Sequence, residues 1–279
     1  MARNYKHHSL NLQQNNKLIY TAISKRNFYF RSQISIFVLN QKQTPINSFL
    51  NLDYHLAGAI SKDLTRIANN TMIKKCDEVW VFGEISDGVL VEIYFAKKYQ
   101  KPIHYYSFDD ETANFKEISQ NDVRLEDISR WMWQWIKNGK NLERWHPRLR
   151  FKKTYPIVYT AISKRNFYAE MQISKFCLQK KKVPLNPSML FTYFFCDTVT
   201  PRNPVYIANG NIIRISDEVW VFGEISDGVL AEIKMKKEQG LPVKYFKITK
   251  TNPVVFRKVK AKRVEFEEKK LEEFRYLLS

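Results

Sequence analysis

The chain has 279 residues, 44% of them hydrophobic and 14% aromatic, with 46 Lys plus Arg against 28 Asp plus Glu and a formal net charge of +18. That is material for one large core or two of ordinary size, and it excludes a disordered or fibrous chain. The longest apolar runs are strand-sized, such as Val79 to Phe82, well short of the ~20 residues a membrane helix needs.

The opening "MARNYKHHSLNLQQNNK" is polar and lacks the apolar centre of a signal peptide, so residues 1–16 read as a polar tail of a soluble, cytoplasmic protein. Then "KLIYTAI" is a short β-rich run, a helical stretch follows from about Phe28 to Gln41, and "TPINSF" reads as a short strand or loop with Pro45 at its edge. A second helix is predicted over Leu64 to Lys75. "EVWVF" is a continuous apolar strand of the kind buried on both faces, Gly83 to Gly88 is a turn, Val89 to Gln100 suits a helix, and "KPIHYYSF" is the next strand. A connecting helix precedes Asn138-Gly139, with Trp131 and Trp135 spaced to pack one face onto a domain and Trp133 opposite.

The chain then repeats itself. "YTAISKRNFY" stands at Tyr20 to Tyr29 and again at Tyr159 to Tyr168, and "DEVWVFGEISDGVL" at Asp77 to Leu90 and again at Asp217 to Leu230. Between these blocks both halves carry Pro-x-Asn (Pro45 and Asn47; Pro184 and Asn186) and Ile-Ala-Asn ending at Asn69 and Asn209; beyond them "FKEISQNDVRLED" faces "FRKVKAKRVEFEE". The offset grows from 139 at Tyr20/Tyr159 to 140 at Asp77/Asp217, as duplication with single insertions requires. Two domains are predicted, residues 17–137 and 157–279, joined by a basic linker at 138–156. The fold class is α/β: two tandem copies of a flavodoxin- or Rossmann-like parallel sheet with helices on both faces.

Charge is uneven. Residues 1–140 hold 19 basic and 14 acidic residues, +5; residues 141–279 hold 27 and 14, +13. The clusters Arg144 to Lys153, Lys180 to Lys182 and Arg257 to Arg263 can attract phosphate backbones, which leaves nucleic acid open as a partner of the second half; solubility explains them as easily. Cys76, Cys177 and Cys196 make no CxxC pair and read as packing residues, and His7, His8, His55, His104 and His146 form no ligand-spaced cluster, so no metal and no cofactor is expected. "AISKRNF" contains no glycine, which excludes a dinucleotide fingerprint after the first strand.

In a parallel sheet, ligands bind beyond the carboxyl ends of the strands, where both unchanged blocks end in loops. The candidate residues are therefore Ser24, Lys25, Arg26, Gly83, Ser86, Asp87 and Gly88, with Ser163, Lys164, Arg165, Gly223, Ser226, Asp227 and Gly228 in the second copy. Glu92 and Glu232 each stand five positions after the loop aspartate, about one turn into the helix. Asp87 also has a purely structural reading, as an N-cap and macrodipole partner.

A Tyr at the end of the first strand, D-x-V-x-V-F-G, D-G-x-x-x-E entering a helix, and "KPI" or "LPV" before the next strand together resemble the nucleoside 2-deoxyribosyltransferase-like superfamily, closest to uncharacterised phage and plasmid members. The resemblance implies that Glu92 and Glu232 attack the anomeric carbon of a nucleoside, that Asp87 and Asp227 orient the sugar, and that Tyr20 and Tyr159 hold the glutamate. It departs at Val89 and Val229, where those transferases carry a small hydroxyl residue. It also lacks a shared acid to protonate the base: Asp63 belongs to one copy, Asp197 to the other, and Asn69 and Asn209 cannot serve. Lys25, Arg26, Lys164 and Arg165 suit a phosphate, which favours a nucleoside 5′-monophosphate. Hydrolysis, transfer, nucleotide binding or sensing without turnover, and a basic nucleic-acid-binding role remain open, as does an intramolecular pseudo-dimer or a homo-oligomer.

Overall fold

A computed structural model describes residues 4–52, 59–109, 111–112, 114–126, 130–140, 143, 149, 153–191, 202–249 and 253–278. His55, His146, Cys196, Asp197 and most of the Arg144 to Lys153 cluster lie outside the described residues. The chain divides into two compact units, Asn16–Tyr155 and Met1–Asn15 with Pro156–Ser279. The segment read as a polar tail thus belongs with the second repeat, and the linker largely with the first.

The first unit runs β1 (Leu18–Ile23), α1 (Arg31–Asn40), β2 (Thr44–Asn47), α2 (Lys62–Lys75), β3 (Glu78–Phe82), α3 (Asp87–Lys98), β4 (Ile103–Phe108), β5 (Phe115–Ile118) and α4 (Arg130–Lys137). Its sheet order is β2-β1-β3-β4-β5, parallel except for β5, which pairs antiparallel with β4. The second unit has β6 (Ile157–Ile162), α5 (Glu170–Gln179), β7 (Val183–Leu185), α6 (Arg202–Ile215), β8 (Glu218–Phe222), α7 (Asp227–Glu238), β9 (Val243–Thr249) and β10 (Val255–Val259), in the order β10-β9-β8-β6-β7 with β10 antiparallel. Both are α/β Rossmann-like sheets in the doubly wound order whose ligand crevice opens between the first and third strands. The antiparallel edge strands β5 and β10 were not foreseen: their sequences are too charged to show an apolar period.

Strand alternation assigns the two faces of each sheet. Ile19, Ile23, Trp80, Phe82 and Tyr106 meet Ile34 and Val38 of α1, and Val158, Ile162, Trp220, Phe222 and Phe246 meet Ile173 and Cys177 of α5. The intervening Tyr20, Val79 and Tyr159, Val219 point to the opposite face, which α3 and α7 cover. Every residue of β1, β3, β6 and β8 is buried, as central parallel strands require.

Part of the repeated block is explained by this framework alone. Asp77 Oδ2 accepts from Leu18 N at 2.8 Å and Asp217 Oδ2 from Ile157 N at 2.7 Å, pinning the start of one central strand to the other. Glu78 and Glu218 accept from the indole Nε1 of Trp80 and Trp220 at 2.9 and 2.7 Å. Lys182 and Lys244 also bond Glu218, and these donors outweigh burial and draw its carboxyl down to about 2.

The connecting helix packs the other way round from the reading of its tryptophans. Met132, Trp133 and Ile136 are buried, while Trp131 is 48% exposed and meets Trp135 edge-on at 5.7 Å. Trp133 reaches Tyr105 on the α3 face of the sheet at 6.2 Å. Among the described residues no helix is long and apolar enough to cross a membrane, and no group of three or more His, Cys, Asp or Glu is placed to hold a metal ion.

Candidate functional site

The first unchanged block and the helix that continues from the second bring a tyrosine and a glutamate together in each half. Tyr20 is the third residue of β1 and Glu92 lies in the second turn of α3; the Tyr20 hydroxyl donates to Glu92 Oε1 at 2.7 Å. The Tyr159 hydroxyl donates to Glu232 Oε1 at 2.6 Å in the same way. Both tyrosines are fully buried. Burial first, and then the neighbouring glutamate, push both phenols well above their usual range, so they remain donors.

Glu232 is a strongly perturbed carboxylic acid. Burial pushes its carboxyl up to about 8, and the hydrogen bond from Tyr159 offsets only part of that rise. Its residue keeps some surface, yet Oε2 is buried and has no hydrogen-bond partner among the described residues. A buried carboxyl with one oxygen held and the other unpartnered is an expensive arrangement for stability alone, and such groups concentrate at functional sites. Asn69 Oδ1 and Asn209 Oδ1, at equivalent positions of α2 and α6, are also buried without a partner.

The loop residues divide into structural and available groups. Ser86 and Ser226, not Asp87 and Asp227, are the N-caps, accepting from Val89 N and Val229 N at 3.5 and 3.4 Å; the aspartates are the first helical residues. Gly83 and Gly223 turn the chain at φ +71° and +78°, where a β-carbon would strike Asn27 and Phe108, or Asn166. These four residues shape the loop. Gly228 differs: it is exposed in the first turn of α7, and a β-carbon there would meet nothing within 4 Å among the described residues. Gly88 is half-buried beside Asp87 at the start of α3.

A second carboxylate reaches the site from a stretch the sequence reading aligned but did not single out. Glu126 N donates to Ile85 O at 3.1 Å and Glu267 N to Ile225 O at 3.0 Å, bracing the chain after β5 and β10 against each loop. From there Glu126 accepts from the Ser24 hydroxyl and lies 4.0 Å from Arg26 Nε; Glu267 accepts from Ser163 and lies 3.8 Å from Arg165 Nε. The serine hydroxyls also accept from the main-chain N–H of Arg26 and Arg165, both at 3.2 Å, starting the 3-10 turns Lys25–Phe30 and Lys164–Ala169. Ser24 and Ser163 are thus committed to the loop, whereas the Arg26 and Arg165 side chains are 71% and 70% exposed and Lys25 and Lys164 are exposed. The signal available in the sequence was the shared offset of 141 between Glu126 and Glu267.

One contact has no counterpart in the sequence reading. Tyr5, ahead of the first repeat, places its hydroxyl 2.8 Å from Asp227 Oδ1 and 2.7 Å from the Asp227 carbonyl oxygen, with His7 Nε2 3.8 Å from Oδ2.

One family model matches the chain twice, over residues 19–106 and 158–246, under the description Domain of unknown function (DUF7768). No curated protein matches the chain.

Proposed function

From a chain that belongs to the DUF7768 family through both of its halves, we propose an enzyme acting on the N-glycosidic bond of a nucleoside or nucleoside 5′-monophosphate, with Glu92 and Glu232 as nucleophiles. The observation that carries this reading is the Tyr–Glu hydrogen bond in each half, made from the first strand of each sheet to the helix after the third, with Glu232 Oε2 buried and without a hydrogen-bond partner among the described residues. The resemblance to nucleoside 2-deoxyribosyltransferase-like proteins in the Tyr20, Asp87 and Glu92 motif supports it.

The chemistry suits a carboxylate. The glutamate oxygen not held by tyrosine bonds to the anomeric carbon as the carbon–nitrogen bond breaks. The bonding pair leaves on the base nitrogen, which takes a proton from water. Water or a second base then attacks the same carbon and releases the carboxylate. Asp87 and Asp227 would accept from sugar hydroxyls at the helix entrance. Arg26 and Arg165, with Lys25 and Lys164, would face a 5′-phosphate, although Glu126 and Glu267 beside them weaken that attraction.

Nucleotide binding without turnover has one observation in its favour. With its carboxyl pushed up to about 8, Glu232 is mostly protonated at neutral pH and is then a hydrogen-bond donor rather than a nucleophile. The experiment is incubation with ribo- and deoxyribonucleosides and their 5′-monophosphates, following free base by chromatography, beside the Glu92→Gln/Glu232→Gln protein. Release by the unsubstituted chain alone is expected. Thermal stabilisation by one compound, equal in both proteins and without release, would instead establish the binding role.

A further inference from the structure

The first residues of the chain carry no role in either repeat, yet they are built into the second one. Tyr5 is 3% exposed, its ring meets Phe274 edge-on at 5.1 Å, and its carbonyl accepts from Lys234 Nζ at 3.3 Å. Farther along, His8 Nε2 lies 2.9 Å from Asn203 Oδ1, and Gln14 Nε2 approaches Met235 Sδ at 3.4 Å. Gln14 crosses α6 so closely that a β-carbon on Gly210 would overlap its side chain. The position equivalent to Gly210 in the first repeat is Asn70, which instead bonds Tyr99 and the Lys153 carbonyl. The second repeat has thus a glycine where this segment passes.

What the segment delivers to Asp227 is the buried Tyr5 hydroxyl, with His7 Nε2 3.8 Å from the other carboxylate oxygen. Burial, then Asp227 and Glu232, keep the Tyr5 phenol protonated far above its usual range, so it stays a donor at any working pH. Asp227, at the start of α7, remains 51% exposed in its side chain and therefore reachable by a ligand. A carboxylate on a half-exposed side chain samples several rotamers; one strong hydrogen bond from an anchored group removes that freedom before substrate arrives.

We propose that Tyr5 is a positioning residue of the second site: from the start of the chain it fixes the Asp227 carboxylate in the orientation that receives a sugar hydroxyl beside Glu232. The second site is then assembled from both ends of the polypeptide. This inference rests on the glycosidic reading above.

The test is Tyr5→Phe, which keeps the ring against Phe274, made in two settings. In the Glu92→Gln protein, where turnover comes from the second half, kcat should fall about tenfold, with KM changed less and Tm within a few degrees. In the Glu232→Gln protein, where turnover comes from the first half, Tyr5→Phe should change nothing. Added to Asp227→Asn in the Glu92→Gln protein, it should cause no further loss, because the hydroxyl acts only through that carboxylate. Equal losses in both settings, a full additional loss beside Asp227→Asn, or an unchanged kcat would each overturn the proposal. If Tyr5→Phe lowers Tm by more than a few degrees, the Asp227→Asn comparison at a temperature where both are folded decides it. The two levels separate cleanly: base release by the unsubstituted chain with a silent Tyr5→Phe removes this inference alone, whereas no release from any compound removes the glycosidic reading and the inference with it.

Discussion

Tyr159 and Glu232 form a buried donor–acceptor pair: the phenol holds Oε1 at 2.6 Å, and Oε2 has no partner among the described residues. On the glycosidic reading the pair leaves Oε2 for the sugar, and burial sets when that oxygen is charged. With the carboxyl pushed up to about 8, the nucleophilic carboxylate grows roughly tenfold per pH unit below that value and levels off above it. Second-half turnover, measured in the Glu92→Gln protein, should rise through neutral pH and level off near pH 8. Tyr159→Phe removes a hydrogen bond that favours the ionised form, so the rise should move to higher pH. A rate that peaks near pH 5 would show Glu232 ionised at neutrality and the assignment mistaken.

The same group gives a stability test that needs no substrate. Glu232 holds its proton in the folded chain up to about pH 8, but the unfolded chain loses it near 4.5. Between those values the folded state binds more protons, so stability is greatest below about 4.5 and falls as pH rises to about 8. The loss from this one group is on the order of 5 kcal/mol, at about 1.4 kcal/mol for each tenfold in proton affinity. Glu232→Gln, nearly isosteric with the protonated acid, should match the unsubstituted chain at pH 5 and exceed it at pH 9 in denaturant midpoints. Parallel pH curves for the two proteins would contradict a raised Glu232.

The Tyr20–Glu92 and Tyr159–Glu232 pairs were readable because each tyrosine lies in a block repeated without change, each glutamate stands two residues past the end of the other such block at the same spacing from its aspartate, and all lie in elements with clear periodicity. Doubly buried β3 and β8, and the helix after each turn, then dictate the geometry. Ser86 and Gly83 were readable as positions but not as roles: cap and turn demand the same small residues that a ligand loop would. Glu126 and Glu267 were hidden because the strands before them are short, charged edge strands, and a single main-chain bridge to Ile85 or Ile225 brings them in. Tyr5 was hidden for a different reason, since contact across more than two hundred residues leaves no local pattern.

Glu267 makes its own prediction. It sits beside Arg165 and accepts from Ser163, so it lowers the positive potential a 5′-phosphate would meet. Glu267→Gln keeps an acceptor for Ser163 and removes the charge. In the Glu92→Gln protein, KM for a 5′-monophosphate should fall about threefold to tenfold while KM for the free nucleoside changes little, as expected for one like charge at a partly exposed site. Equal effects on both compounds would place the phosphate elsewhere, and the salt dependence of the ratio gives an independent reading.

The three loop glycines of the second half should behave in opposite ways. Gly223 has φ +78°, and an added β-carbon would press on the Asn166 amide; Asn166 is buried and donates to Glu224 at 2.9 Å, so it cannot give way freely. Gly223→Ala should cost about 2 kcal/mol or more, and Gly83→Ala a similar amount in the first half, where Asn27 and Phe108 both stand 2.7 Å from the added carbon. Gly228 lies exposed in the first turn of α7, with nothing within 4 Å of an added β-carbon among the described residues, so Ala there should stabilise the helix by about 0.5 kcal/mol. Gly240, at φ +68° just past the C-terminal end of α7, serves as the control for a left-handed glycine with nothing near it among the described residues: Gly240→Ala should cost about 1 kcal/mol through backbone strain alone. The decisive comparison is at Gly228. If the space before α7 is where a sugar lies between Asp227 and Glu232, Gly228→Ala gives a protein that melts higher and turns over less; a variant that gains stability and keeps full turnover would put the sugar somewhere else.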